Sequence, residues 1–299
     1  MIMDCAIIGG GPAGLNAALV LGRAKRNVIL FDDNNPRNRV TKESHGFITR
    51  DGIHPMEFRK IAHQEISHYP SVEMQNVRIT KVETDKYPAY FCLTQADGEK
   101  IYAKNIILAT GLKENLPAIN GINDFYGKSL FNCPYCDGWE LRNKPLIVIS
   151  EQQNVFHLTT MVWNWSQDLI VCTNGQQNLN RKQKEKLEQK GIQVQDQKII
   201  SLVGKDGQLE RVIFENHEVQ RMGGFISPRL IQASSFHELL GCEADDQGKI
   251  IKDDFGRTNI KGVYVAGDTI TPSHLISSAA EGSRAAMGVN ADLTEREFA

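Results

Sequence analysis

Short apolar runs of four to six residues recur along this chain, each closed by glycine, aspartate or threonine. Met3-Asp4-Cys5-Ala6-Ile7-Ile8 is the first and predicts a strand. Gly9-Gly10-Gly11-Pro12-Ala13-Gly14 follows, and an alanine- and leucine-rich stretch to about Ala24 predicts a helix. Val28-Ile29-Leu30-Phe31 predicts the next strand, stopped by Asp32-Asp33. Continuous rather than alternating apolar runs suit strands covered on both faces, as in a parallel sheet with helical crossovers.

Two later runs have the same character. Ile106-Ile107-Leu108-Ala109-Thr110-Gly111 ends in Thr-Gly, and Gly262-Val263-Tyr264-Val265-Ala266-Gly267-Asp268 ends in Gly-Asp, ahead of a helix over about 277–291. Between them Pro145-Leu146-Ile147-Val148-Ile149, a helical stretch over about 154–165 and Asp168-Leu169-Ile170-Val171-Cys172 open a second strand–helix–strand unit. Gly204-Lys205-Asp206-Gly207 and Glu215-Asn216-His217-Glu218 read as hairpin turns. The fold class expected is α/β, with two Rossmann-like three-layer domains. The first is split into residues 1–113 and 247–299 around an insert at 114–246, roughly 130 residues and long enough for a domain of its own.

Composition excludes several functions. With 34 basic and 36 acidic residues the net charge is −2, which gives no nucleic-acid or membrane surface. No apolar run approaches the ~20 residues that span a bilayer. The apolar start lacks a basic leader and runs into glycines, so it reads as a strand rather than a signal peptide. Six cysteines, only two of them close in sequence, do not form a secreted disulfide framework. A reducing cytoplasm with one redox-active pair fits this usage.

Gly9, Gly11 and Gly14 have G-x-G-x-x-G spacing between a strand and a helix, with Asp32 and Asp33 about 20 residues on. Glycines there permit a tight turn and close approach of a pyrophosphate to the helix N-terminus, while the acid holds a ribose. The pattern is weak alone and strong in this context. Asp268, beside a glycine at a strand end, is placed to approach the sugar-phosphate chain of the same dinucleotide.

Cys133-Pro134-Tyr135-Cys136-Asp137-Gly138-Trp139-Glu140 carries the chemistry. A Cys-x-x-Cys pair opening a helix has lowered thiol pKa values and attacks other disulfides readily. Asp137 stands where it could exchange a proton with a thiolate. A metal site is not expected, because zinc needs four ligands and no second Cys-x-x-Cys or His pair at ligand spacing occurs.

The glycine turn, Ala109-Thr110-Gly111, Cys133-x-x-Cys136-Asp137-Gly138 and Ala266-Gly267-Asp268 stand in one order over nearly the whole chain. In this the sequence resembles the low-molecular-weight thioredoxin reductase family. The resemblance implies FAD at Gly9, Gly11, Pro12, Ala13, Gly14, Asp32, Asp33, Asn38, Val82, Thr110, Gly111, Gly267, Asp268 and Ile276. It implies that Cys136 lies nearer the flavin, that Cys133 attacks the substrate disulfide, and that Asp137 acts as acid/base. A homodimer and a thioredoxin-like protein or small disulfide as partner are implied too. Cys-Pro-Tyr-Cys-Asp-Gly-Trp-Glu, with Pro36-Arg37-Asn38 and His45-Gly46-Phe47, further resembles the branch of gliotoxin-type dithiol oxidases, which deliver electrons to oxygen.

The insert departs from that family. Ser150-Glu151-Gln152-Gln153-Asn154-Val155 stands where a second G-x-G-x-x-A/G turn belongs, and no glycine occurs between Gly138 and Gly175. The family's His-Arg-Arg signature is replaced by Thr173-Asn174-Gly175, and the nearby Arg181, Lys182 and Lys184 read as a solvated helix face. Side chains at the glycine positions block close pyrophosphate approach, and Glu151 adds a like charge. Ordinary NADPH binding is therefore not expected, and a ferredoxin-type donor or another flavoprotein is an alternative.

His274 is a candidate catalytic proton donor, because Ser273-His274 replaces the family's Arg-Gln near the flavin; His45 is the other histidine with that potential. A structural loop histidine is the competing reading for each. Three functions stay open: a disulfide reductase, a dithiol oxidase, and a flavoprotein sensor that has lost its electron input. Intact Cys133, Cys136 and Asp137 argue for an enzyme.

Overall fold

A computed structural model describes residues 2–86, 89–246, 248–270, 272 and 274–299. The chain divides into two compact units, one of residues 2–39, 46–113 and 232–299 and one of 40–45 and 114–231. It passes between them at 39/40 and 45/46 and in the segments Leu112–Asn115 and Arg229–Gln232.

The first unit is built on a five-stranded parallel sheet. Its order is Val263–Val265, Ile106–Leu108, Cys5–Ile8, Val28–Phe31 and Val72–Gln75. Cys5–Ile8 is central and wholly buried, which explains the unbroken apolar run. Helix Pro12–Arg23 packs on the C-terminal helix Leu275–Phe298 so closely that a Cβ on Gly282 would stand 2.0 Å from the Ala13 carbonyl oxygen. A four-stranded sheet of Ile2–Met3, Lys100–Ala103, Ala89–Gln95 and Ile79–Lys86 completes this unit.

The first strand differs from the expected Met3–Ile8. It breaks at Asp4, whose carboxylate accepts from Lys104 Nζ at 2.8 Å and Asn27 N at 3.0 Å, so Ile2–Met3 pairs in the second sheet instead. The last helix runs past the expected Ala291 to Phe298, because Arg26 ties down its polar end through Asn290, Thr294 and Glu297 at 2.7–2.8 Å. The chain also rejoins this unit at Gln232, ahead of the expected 246/247 boundary. Phe236 is buried there in a core with Ile8, Phe31, Ile106 and Val265.

The second unit has its own five-stranded parallel sheet, in the order Leu130–Phe131, Gly223–Ile226, Leu146–Ile149, Leu169–Cys172 and Gln193–Gln195. Val155–Val162 is the crossover between Leu146–Ile149 and Leu169–Cys172, shorter than the 154–165 expected. Both hairpin turns occur in a three-stranded antiparallel sheet, Ser201–Lys205, Gln208–Ile213 and Glu218–Gln220. The architecture is thus α/β with two Rossmann-like domains. No helix among the described residues is long and apolar enough to cross a membrane.

Candidate functional site

The glycine turn sits at the end of Cys5–Ile8, the strand from which the sheet grows in both directions, and such reversals place ligands at strand C-termini. Gly9 has φ +115°, and a Cβ there would lie 2.1 Å from Ala109 O; one on Gly14 would lie 1.8 Å from Gly9 O. These two glycines are required by the turn itself. Gly11 differs: it is the N-cap of Pro12–Arg23, and a Cβ there meets nothing within 4 Å. The space over it is open, as a pyrophosphate cradle requires. Pro12 occupies the first helical turn and Ala13 is buried.

The other expected dinucleotide residues fall into distinct settings. Asp32 closes Val28–Phe31, its carboxylate beside Gly10, and is ion-paired with the buried Arg59, which also donates to Asn34 Oδ1 at 3.0 Å. Asp33 is exposed and accepts from Asn35 N at 3.2 Å. Thr110 Oγ1 accepts from Ser234 Oγ at 3.1 Å, and Gly111 N donates to Thr269 Oγ1 at 2.9 Å. Gly267 N donates to Glu281 Oε2 at 2.8 Å. Asp268 accepts from Arg37 Nη2 at 2.7 Å and Ser278 Oγ at 3.3 Å. Asn38 lies in the 3₁₀ turn Arg37–Val40, and Ile276 is exposed in the first turn of the last helix. Val82 is a core side chain, which leaves only its backbone to a ligand. His274 is exposed at the N-cap of Leu275–Phe298; Ser273 lies outside the described residues. Arg59 and Glu281 carry no local motif that sequence reasoning could use, and the Pro36-Arg37-Asn38 segment does not mark Arg37 as the partner of Asp268.

In the second unit Cys133 and Cys136 form a disulfide with a Cα separation of 5.3 Å. Cys133 is the N-cap of helix Pro134–Leu141, and its Sγ accepts from Cys136 N at 3.2 Å. Pro134 fits the first helical position, where its missing N–H costs nothing. Gly138 has no room for a side chain, since a Cβ there would press on the Trp165 ring at 2.7 Å. Tyr135 stacks edge-on against the same ring at 5.4 Å. Asp137 is buried on this helix, and its carboxyl is pushed up to about 7, first by burial, then by the charge of Glu140, with His45 opposing. Such a group takes up and releases a proton near neutrality.

The second sheet also reverses direction at a central strand, Leu146–Ile149, between Gly223–Ile226 and Leu169–Cys172. The loop at that strand end is crossed by hydrogen bonds of its own side chains. Gln152 Nε2 donates to Ser227 O at 3.0 Å and Pro228 O at 2.7 Å, and Asn154 Nδ2 to Ser227 Oγ at 3.1 Å. Asn178 Nδ2 donates to the carbonyls of Ser150 and Gln152 at 3.0 and 2.9 Å, and Asn174 Nδ2 to Glu151 Oε1 at 2.6 Å. The sequence revealed the missing glycines here, but not this network.

The pyridine nucleotide-disulphide oxidoreductase profile matches residues 3–156 and 166–286. Thioredoxin reductase aclD of Aspergillus oryzae is 30% identical over 100% of this chain and 98% of its own. A probable thioredoxin reductase of Arthroderma benhamiae is 29% identical over 98% of this chain and 80% of its own. The crystal structure of a putative thioredoxin reductase TrxB from Bacillus anthracis superposes with a TM-score of 0.96 at 46% identity, covering 99% of this chain and 100% of that one. A dinucleotide turn, a helix-capping disulfide and a match over nearly the full length together make this chain a member of the pyridine nucleotide-disulphide oxidoreductase family, of the thioredoxin reductase type.

Proposed function

We propose that this protein is an FAD-dependent disulfide oxidoreductase whose Cys133–Cys136 pair exchanges two electrons with a dithiol/disulfide substrate, and that it does not draw them from NADPH in the usual way. The observation that carries this reading is the contrast between two equivalent strand ends. The turn Gly9–Gly14 is bare at Gly11, whereas the loop after Leu146–Ile149 is closed by Gln152, Asn154 and Asn178. FAD, held by the first turn with Thr110, Gly111, Gly267 and Asp268, supplies the two-electron carrier.

The protein's own residues account for the exchange. In the reduced pair, the Cys133 thiolate sits at a helix N-terminus, where the Cys136 N–H and the helix dipole favour its negative charge. It attacks a substrate disulfide and expels one substrate thiolate. Cys136 then attacks the mixed disulfide and expels the second, restoring the Cys133–Cys136 bond. Asp137, with its carboxyl near neutrality, supplies the proton to a departing thiolate. His274, at the head of the last helix, is the candidate proton donor of the flavin-binding unit. The electron donor is of ferredoxin or flavoprotein type, and the substrate a thioredoxin-like protein or a small disulfide. The chain works as a homodimer in the cytoplasm, where Cys5, Cys92 and Cys172 stay reduced in the core.

One observation favours a second reading. Tyr135 and Trp139 flank the disulfide on the same helix and are 66% and 65% exposed, an apolar surface suited to a small dithiol. In that case the dithiol is oxidised to its disulfide, the pair is reduced, and oxygen takes the two electrons and two protons as hydrogen peroxide.

Adding oxidised thioredoxin anaerobically to the dithionite-reduced holoenzyme tests the first reading. Formation of four substrate thiols per reoxidised flavin, two from the reduced Cys133–Cys136 pair and two from the flavin through it, supports it. Reoxidation only by oxygen, with peroxide formed from an added small dithiol, supports the second. Neither outcome would leave a sensor.

A further inference from the structure

Residues 40–45 belong to the disulfide-bearing unit although the chain on both sides of them belongs to the other. The segment is seated against the turn at Gly127, where φ is +77° and a Cβ would stand 2.5 Å from Val40 O. It ends by placing His45 Nε2 3.8 Å from Glu140 Oε1 and 3.4 Å from Glu43 Oε2. Glu140 follows Asp137 by three positions and so lies on the same face of the disulfide helix. We infer that His45 is a positioning residue that, opposed by Glu140, sets the protonation of Asp137 beside the Cys133–Cys136 pair.

The inference rests on Asp137 as the acid/base of the pair. Asp137 is buried, so its proton equilibrium follows the charges around it rather than bulk water. Two ionisable groups act on it among the described residues: Glu140 from its own helix, which favours the protonated carboxyl, and His45 from the Val40–His45 segment, which favours the carboxylate. Glu43 faces His45 from that same segment. His45 and Glu140 therefore pull in opposite directions while touching each other. A change at either one shifts Asp137 without altering the sulfurs.

The test is an infrared titration of the holoenzyme, with the protonated Asp137 carboxyl identified by its loss in Asp137→Asn. Removing the imidazole by His45→Gln is expected to move the carboxyl midpoint up, and Glu140→Gln to move it down, each by about half a pH unit or more. The alkylation rate of the reduced Cys133–Cys136 pair against pH is expected to shift with it. Two midpoints that move the same way, or neither moving in correctly folded variants, would overturn the inference. Opposite shifts in a protein that turns over no disulfide would overturn the assigned function and uphold the coupling.

Discussion

Gln152 Nε2 donates to the carbonyl oxygen of Pro228 at 2.7 Å, tying the loop after Leu146–Ile149 to the end of the neighbouring strand Gly223–Ile226. That bond crosses the crevice where a Rossmann-like sheet takes its dinucleotide. Ser227 accepts from Asn154 as well as Gln152, and Asn178 donates to the carbonyls of Ser150 and Gln152, so these three amides are engaged within the protein, while Asn178 Oδ1 is buried without a partner among the described residues. A nicotinamide pyrophosphate would have to break these bonds and still meet the Glu151 carboxylate.

Gln152→Ala separates a structural from a binding role for this network. The amide donates to Ser227 O, Ser227 Oγ and Pro228 O, and its removal leaves those acceptors without that partner. A loss of about 1–3 kcal/mol in denaturant unfolding of the disulfide-bearing unit is expected. No gain of NADPH affinity is expected, since Ser150, Asn154 and Asn178 remain.

The two kinds of glycine in the first turn give opposite phenotypes. Gly14→Ala places a methyl group 1.8 Å from Gly9 O and is expected to prevent folding of the flavin unit or destabilise it by several kcal/mol. Gly11→Ala has open space and costs only about 1 kcal/mol as a poorer helix cap, yet it is expected to weaken FAD retention at least tenfold. Thermal unfolding of the apoprotein, set against flavin binding followed by fluorescence, distinguishes the two.

Cys136→Ser leaves the flavin turn untouched, so FAD content should be unchanged while disulfide turnover falls to background. Cys133→Ser should do the same and also abolish mixed-disulfide capture of the substrate. Full turnover by either variant would remove the pair from the mechanism.

Asp137 makes stability depend on pH in a known direction. Its carboxyl is raised from 3.8 to about 7 in the folded protein, so the native state holds a proton that the unfolded chain has released. Its contribution is complete below pH 3.8, declines as pH rises through that window, and is lost above about 7. Asp137→Asn carries no charge and is expected to be more stable than the parent at pH 8, by up to a few kcal/mol at about 1.4 kcal/mol per unit. The two should converge towards pH 4, as melting curves over that range would record.

Much of this architecture was legible in the chain. Cys5–Ile8, Val28–Phe31, Ile106–Leu108, Leu146–Ile149, Leu169–Cys172 and Val263–Val265 are unbroken apolar runs because both faces of each sheet are covered, and burial of that kind writes itself into consecutive positions. The glycine turn and the Cys-x-x-Cys pair were legible because their chemistry fixes spacing. Contacts between distant positions left no such trace. Nothing periodic marks Arg59 as the partner of Asp32, and nothing marks Val40–His45 as crossing into the other unit. The run Met3–Ile8 reads as one strand in the sequence, whereas the bonds of Asp4 to Lys104 and Asn27 divide it between two sheets. The replaced glycines after Ile149 mark an altered loop in the sequence, but only the structure supplies the hydrogen bonds that Gln152, Asn154 and Asn178 make there.

The central claim, that the first unit's glycine turn takes FAD while the loop after Leu146–Ile149 in the other unit does not take a nicotinamide, is tested most directly by anaerobic titration of the holoenzyme with NADPH and NADH, using dithionite as the control. The account predicts that dithionite bleaches the flavin and reduces the Cys133–Cys136 pair, while neither nicotinamide does so at stoichiometric concentration. Rapid bleaching by NADPH would contradict it, and would mean that the Gln152 network opens to admit the nucleotide.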